Sequence, residues 1–146
     1  MKSGFIDNRC GRGNTESMTT DNKSMVEQAL AELMETGSVD ALEPLLSEDF
    51  VHHRPDATSS TKAEWLAAVQ AALVPLADMR VEVRHLLADG DHVVMHSRRR
   101  LPDAGPEVAV VDIWRIDEGL VAECWEIIEP TARAAANLVW WEPAGG

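Results

Sequence analysis

The sequence predicts one soluble α+β domain: helices first, then an antiparallel sheet that curves around a pocket. Three observations predict it. Apolar residues recur at helical spacing through the first half of the chain. From Met79 onward the period changes to two. Turn-forming clusters then punctuate the second half at intervals suited to hairpins. Helices followed by hairpin-linked strands place the helices on one face of an antiparallel sheet.

The chain has 146 residues, the size of one ordinary domain, and 45% of them are apolar. That is enough to build a core without disulfide staples. Asp and Glu outnumber Lys and Arg 25 to 13, a formal charge of -12. Phosphate backbones need a basic face, so nucleic acid is not an expected partner. The one basic run, Arg98-Arg99-Arg100, alternates faces if it lies on a strand. No stretch approaches the roughly 20 apolar residues that span a bilayer. Cys10 falls in a tail-like segment and Cys124 in a predicted strand, so no structural disulfide is expected; with no apolar leader at the N-terminus, the expected compartment is the cytoplasm.

Residues 1–20 are rich in Gly, Asn, Ser and Thr and read as a disordered extension, leaving residues 21–146 as the domain. Ser24-Met25-Val26-Glu27 has capping-box form and predicts the start of a first helix, with Val26, Leu30, Leu33 and Met34 on one face and Gly37 as its stop. A short second helix is expected from Asp40 to Leu46, with Pro44 near its first turn. Thr61-Lys62-Ala63-Glu64 is a second capping box. It opens a helix whose stripe is Trp65, Val69, Leu73 and Leu76 and which Pro75 ends. Strands are expected over Met79–Leu87, His92–Leu101, Val108–Ile116 and Leu120–Ile128, joined by turns at Asp89-Gly90, Pro102–Pro106 and Glu118-Gly119. The apolar segment Thr131–Trp141 predicts a short helix or a cover for a sheet edge.

Asp112 is the most informative residue. It sits mid-strand among Val110, Val111, Ile113 and Trp114, where an unpaired carboxylate is expensive to bury and where burial raises its pKa toward that of a general base. The plainer reading is a solvated or cross-strand-paired aspartate. His96 shares a strand face with Val94 and Arg98, and His96, Arg98 and Asp112 on neighbouring strands are expected to orient one another; the plainer reading of His96 is a hydrogen-bonded core histidine. Of His52 and His53 only one can enter a pocket, because neighbours on a strand point to opposite faces; a rim role for His53 is expected and metal binding is not. Glu126 shares a face with Cys124 and is either a second pocket carboxylate or solvated while Trp125 turns inward. Trp65 and Trp114 read as core residues that also wall the pocket, and Cys124 as a small hydrophobe.

Several segments together resemble a known family. Asp89-Gly90-Asp91-His92-Val93-Val94-Met95-His96 is similar to the glycine-turn strand pair of the SnoaL-like proteins, members of the nuclear-transport-factor-2-like (NTF2-like) superfamily. Val111-Asp112-Ile113-Trp114-Arg115-Ile116-Asp117-Glu118-Gly119 resembles their next hairpin, Glu123-Cys124-Trp125-Glu126 the strand that follows, and Phe50-Val51-His52-His53-Arg54-Pro55 the segment after their second helix. The resemblance spans roughly residues 26–129. It implies a cone-shaped α+β barrel with one deep pocket, often dimeric through the outer sheet face. It also implies cofactor-free acid–base chemistry, with Asp112 as acid/base and His96 in support. Arg54, Cys124 and Glu126 depart from the family's usual asparagine, histidine and aspartate.

The expected function is therefore an aldol cyclisation, isomerisation or similar reaction of a small apolar carbonyl compound. Asp112 and His96 are the catalytic candidates; His53, Arg98, Trp114, Glu126, Trp65 and Val94 line the substrate site, with no metal or cofactor. The alternatives are an epoxide hydrolase that needs Glu126 in the pocket, and a dimer that binds a metabolite without turning it over. A homodimer is expected in either case, with Val93, Met95, Val111 and Ile113 as the outer apolar patch.

Overall fold

The structure, a computed structural model, describes residues 21–103 and 107–129. The expected N-terminal extension, the Thr131–Trp141 segment and Cys10 lie outside the described residues. Helix α1 covers residues 21–36 and ends at Gly37, whose φ of 67° suits glycine and whose N–H donates to the Leu33 carbonyl at 2.9 Å. Its start differs from expectation. A capping box requires an extended N-cap, and Ser24 is already helical. Two 3-10 turns, Val39–Ala41 and Glu43–Leu45, replace the expected second helix. Pro44 at the start of the second turn has no N–H to continue an α-helical ladder.

Strand β1, Leu46–His53, and the short β2, Ser59–Thr61, form a hairpin. Helix α2, Lys62–Leu73, opens on the predicted capping box with both of its hydrogen bonds in place. It ends just before the Val74-Pro75 step. Strands β3 (Arg80–Asp89), β4 (His92–Arg100), β5 (Glu107–Asp117) and β6 (Leu120–Ile128) form the predicted antiparallel meander. The β5–β6 turn carries positive φ at Glu118 (51°) and Gly119 (81°), the two-residue geometry that matches strand twist.

The six strands run in the order β2-β1-β6-β5-β4-β3, curled around the helices without closing. The fold is thus the expected α+β architecture, but its sheet is mixed: β1 pairs parallel with β6. The chain crosses on α2 to the far edge, and the meander then brings β6 back beside β1. Strict alternation governs β5, where Val108, Val110, Asp112, Trp114 and Ile116 are buried on one face. These residues join Phe50, Leu46, Val93, Met95, Val121 and Cys124, with Val26 of α1, to form the core. No helix among the described residues is long and apolar enough to cross a membrane.

Phe50 is 2% exposed and its ring meets Trp65 with centroids 5.2 Å apart, so it ties β1 to α2. Phe50→Ala removes most of that side chain from a site with little freedom to collapse. Urea denaturation should show a loss of roughly 3–5 kcal/mol. A loss below about 1 kcal/mol would mean that β1 and α2 do not depend on this contact.

Candidate active site

A cavity of about 770 Å³ lies between the helices and the concave sheet face. Its walls are largely apolar: Leu30, Leu33, Val69, Leu73, Leu76 and Met95 among others. Asp112, Glu126, Arg99 and His52 supply the polar groups of its sheet-side wall. The strand registers bring these four together. Asp112 pairs directly with Glu126 across β5 and β6, and His52 lies beside Cys124 across β1 and β6.

Arg99 sits between the two carboxylates. Its Nη2 donates to Asp112 Oδ2 at 3.2 Å, and its Nη1 lies 3.6 Å from Glu126 Oε2. Its Nε is buried without a partner among the described residues. On the other side of Glu126, His52 Nε2 stands 3.7 Å from Oε1. The His52 ring stacks on Trp65, with centroids 5.3 Å and planes 29° apart.

Burial sets the proton affinities. Asp112 is 5% exposed, and desolvation pushes its pKa up to about 7; Arg99 opposes the rise and the Glu126 charge adds to it. The Arg99 ion pair is real in geometry, yet desolvation outweighs it. His52 moves the other way, down to about 4, through burial first and then the charges of Arg54 and His53, and is neutral near pH 7. The Cys124 thiol is pushed well up by burial and by both carboxylates, which leaves it a hydrophobe rather than a nucleophile.

The structure redistributes the residues expected at the site. Asp112, Glu126, Trp65 and Trp114 line the cavity. The open question for Glu126 is settled inward, with Ile127 exposed on the other face. His96, Val94 and Arg98 do not reach it. Register places Met95 opposite Asp112, so His96 pairs with Val111, Val94 with Ile113 and Arg98 with Ala109 on the outer face. There His96 Nδ1 meets His85 Nδ1 at 3.0 Å, and Arg98 donates to Glu107 at 2.9 Å. Because β4 is apolar at Val93, Val94 and Met95 alike, its pattern does not say which parity faces inward. Of the two adjacent histidines, His52 enters and His53 does not. His53 instead stacks on Trp125, centroids 5.1 Å apart, and contacts Glu123. The residue that sequence reasoning missed is Arg99. The triple-arginine run held the only signal, and alternation makes its middle member face opposite to Arg98.

A SnoaL-like domain family profile matches residues 26–124. No curated protein matches the chain. Among solved structures, a proposed ketosteroid isomerase from Kribbella flavida superposes with TM-score 0.66 at 21% identity, covering 77% of this chain and 80% of that one. An epoxide hydrolase from M. tuberculosis gives 0.63 at 19%, covering 86% and 99%. A proposed polyketide cyclase from Streptomyces antibioticus gives 0.60 at 23%, covering 77% and 97%. At these identities the likeness is one of fold.

The raised Asp112 value makes a stability prediction. The folded chain holds this proton to higher pH than the unfolded chain does. Its contribution is therefore full below the ordinary carboxyl value of 3.8 and lost as pH rises through about 7. His52 has the opposite sign, full above 6.5 and lost as pH falls through about 4. Asp112→Asn keeps the shape and removes one titration. Between about pH 4 and about pH 7 its urea stability should rise relative to the wild type. Parallel curves across that window would show that Asp112 is not a desolvated carboxyl.

Proposed function

The chain belongs to the SnoaL-like domain family, and from that premise we propose that it is a cofactor-independent acid–base enzyme acting on a small, largely apolar carbonyl compound. One observation carries the reading: Asp112 is buried at the wall of an apolar cavity, with its proton affinity brought to about 7 and Arg99 against it. A base poised near the working pH is the most effective one. The ionised Asp112 takes a proton from the carbon next to the carbonyl. Arg99 is the donor placed to meet the oxygen as negative charge develops. Protonated Asp112 then returns the proton, to another carbon in an isomerisation or to the new alkoxide after ring closure. Trp65, Trp114 and the helix faces keep water away and strengthen both interactions.

A second reading has its own support. Glu126 faces the cavity, and Arg99 joins it to Asp112. In an epoxide hydrolysis, Glu126 would take the proton of a water while protonated Asp112 gives its proton to the epoxide oxygen. Both readings need Asp112, and only the second needs Glu126 as base.

The outer sheet face supports a homodimer. Val93 and Met95, expected there, are buried in the core. Val111 and Ile113 do lie on that face, joined by Val94, Trp125 and the exposed Leu87 and Ile127. Patches of this kind on a small domain usually mark an interface. The buried free thiol of Cys124 suits the cytoplasm.

Apolar ketones and epoxides serve as probes. Incorporation of deuterium from heavy water next to a ketone carbonyl is expected, and Asp112→Asn should slow it by about 10²–10⁴-fold. Exchange that survives Asp112→Asn would refute the assignment. Diol formation with oxygen from labelled water, lost in Glu126→Gln, would instead establish the epoxide reading. Tight binding with neither reaction would make the protein a carrier. Sedimentation should show a dimer at micromolar concentration; a monomer throughout would reject the interface.

A further inference from the structure

His52 is the one buried histidine among the described residues, and the chemistry above gives it no task. Its ring stacks on Trp65 with the planes 29° apart, and Trp65 itself packs on Phe50. Held so, Nε2 points at Glu126 Oε1, 3.7 Å away. That is an electrostatic contact, longer than a hydrogen bond. Glu126 Oε2 is 3.6 Å from Arg99 Nη1, so the carboxylate is suspended between two donors at nearly equal distance. Arg99 meanwhile makes its closer contact, 3.2 Å, with Asp112.

The tautomer follows from the surroundings. His52 Nδ1 is buried without a partner among the described residues. A proton there would be a buried donor left unpaired, whereas on Nε2 it faces a carboxylate. The neutral ring thus presents Nε2–H to Glu126. The other charged and titratable groups around the pair are Arg99 from β4, Asp112 from β5, Cys124 from β6, and His53 and Arg54 at the end of β1. Helix α1 adds Glu27 and Glu35 to the cavity wall, and α2 faces the histidine with the uncharged Trp65.

We propose that His52 is a positioning residue that holds Glu126 back from Arg99 and so decides how the guanidinium is shared between the two carboxylates. Without the imidazole, Glu126 has one donor left and closes on Arg99. Asp112 then loses part of its cation and gains a nearer negative charge, and both changes strengthen its hold on its proton. Through this arrangement a residue on β1, which never touches the reacting atoms, sets the pH range in which the acid–base group on β5 works. The inference rests on the reading of Asp112 as the proton carrier.

The test is the titration of the Asp112 side-chain carboxyl, followed by carbon NMR in full-length protein labelled at aspartate. In His52→Phe its midpoint should rise by roughly 1 pH unit. In His52→Gln, whose side-chain amide reaches the place of Nε2, it should return to the wild-type value. In a Glu126→Gln background His52→Phe should add no shift. If His52→Phe does not fold, His52→Asn, whose amide is too short to reach Glu126, replaces it. An unmoved midpoint, equal shifts for Phe and Gln, or a shift that persists without the Glu126 charge would each overturn the inference alone. A wild-type Asp112 that titrates in the ordinary carboxylate range would overturn the proton-carrier reading and this inference together.

Discussion

The burial of one carboxyl group, that of Asp112 on the central strand β5, is the constraint on which the rest of the site depends. A charge at that position would be costly to desolvate alone, and a neutral acid there still needs a partner for its oxygens. Arg99 answers both demands, but only if β4 lies in the register that turns Arg99 inward. That register puts Met95 opposite Asp112 and consigns His96 and Arg98 to the outer face. Glu126 is then fixed by its direct pairing with Asp112. The apolar cavity beyond them supplies the desolvation that brings Asp112 to about 7. A different register on either side would dismantle the group without changing the fold.

Most of the architecture was legible in the sequence because its signals are local. The Thr61–Glu64 capping box, Gly37, the Glu118-Gly119 turn and the strict alternation of β5 each act over a few residues, and each appears where it was expected. The parallel pairing of β1 with β6 was not legible, since it arises from where α2 delivers the chain rather than from any motif. The site was half legible. Asp112 stands out as a carboxylate in an apolar run and Trp65 follows from helical spacing, whereas the spacing of β6 left Glu126 or Trp125 equally free to turn inward. The choice between Arg98 and Arg99, or between His52 and His53, is a choice of parity. Parity in β4 is masked by apolar residues on both faces, and in β1 by two identical neighbours. A one-residue difference there moves every side chain across the sheet.

The two faces of the sheet divide the titratable residues by kind. The concave face holds few, and burial moves Asp112, His52 and Cys124 away from their ordinary values. The outer face holds His53 with Glu123, Arg115 with Glu123, His85 with His96 and Arg98 with Glu107, all partly open to solvent. Pairs of that sort contribute little to stability, because water screens them and ordering them costs side-chain entropy. Their presence explains how a chain of charge -12 can still carry so many arginines without presenting a basic surface.

The parallel seam between β1 and β6 has a consequence for how the molecule is made. Its partners lie far apart along the chain; His53 and Glu123, which meet there, are 70 residues apart. The β3–β6 meander can zip from its hairpins with short loops, whereas the seam must first close a long one, and the entropy of that closure comes before any contact rewards it. During synthesis β1 emerges early and waits until β6 has left the ribosome. The group of polar side chains at the cavity wall, which draws His52 from one side of the seam and Glu126 from the other, is therefore completed at the end of folding. A chain cut short before β6 keeps the helices that precede it and three of its meander strands, yet it has no Glu126 and leaves β1 with only the short β2 for a partner.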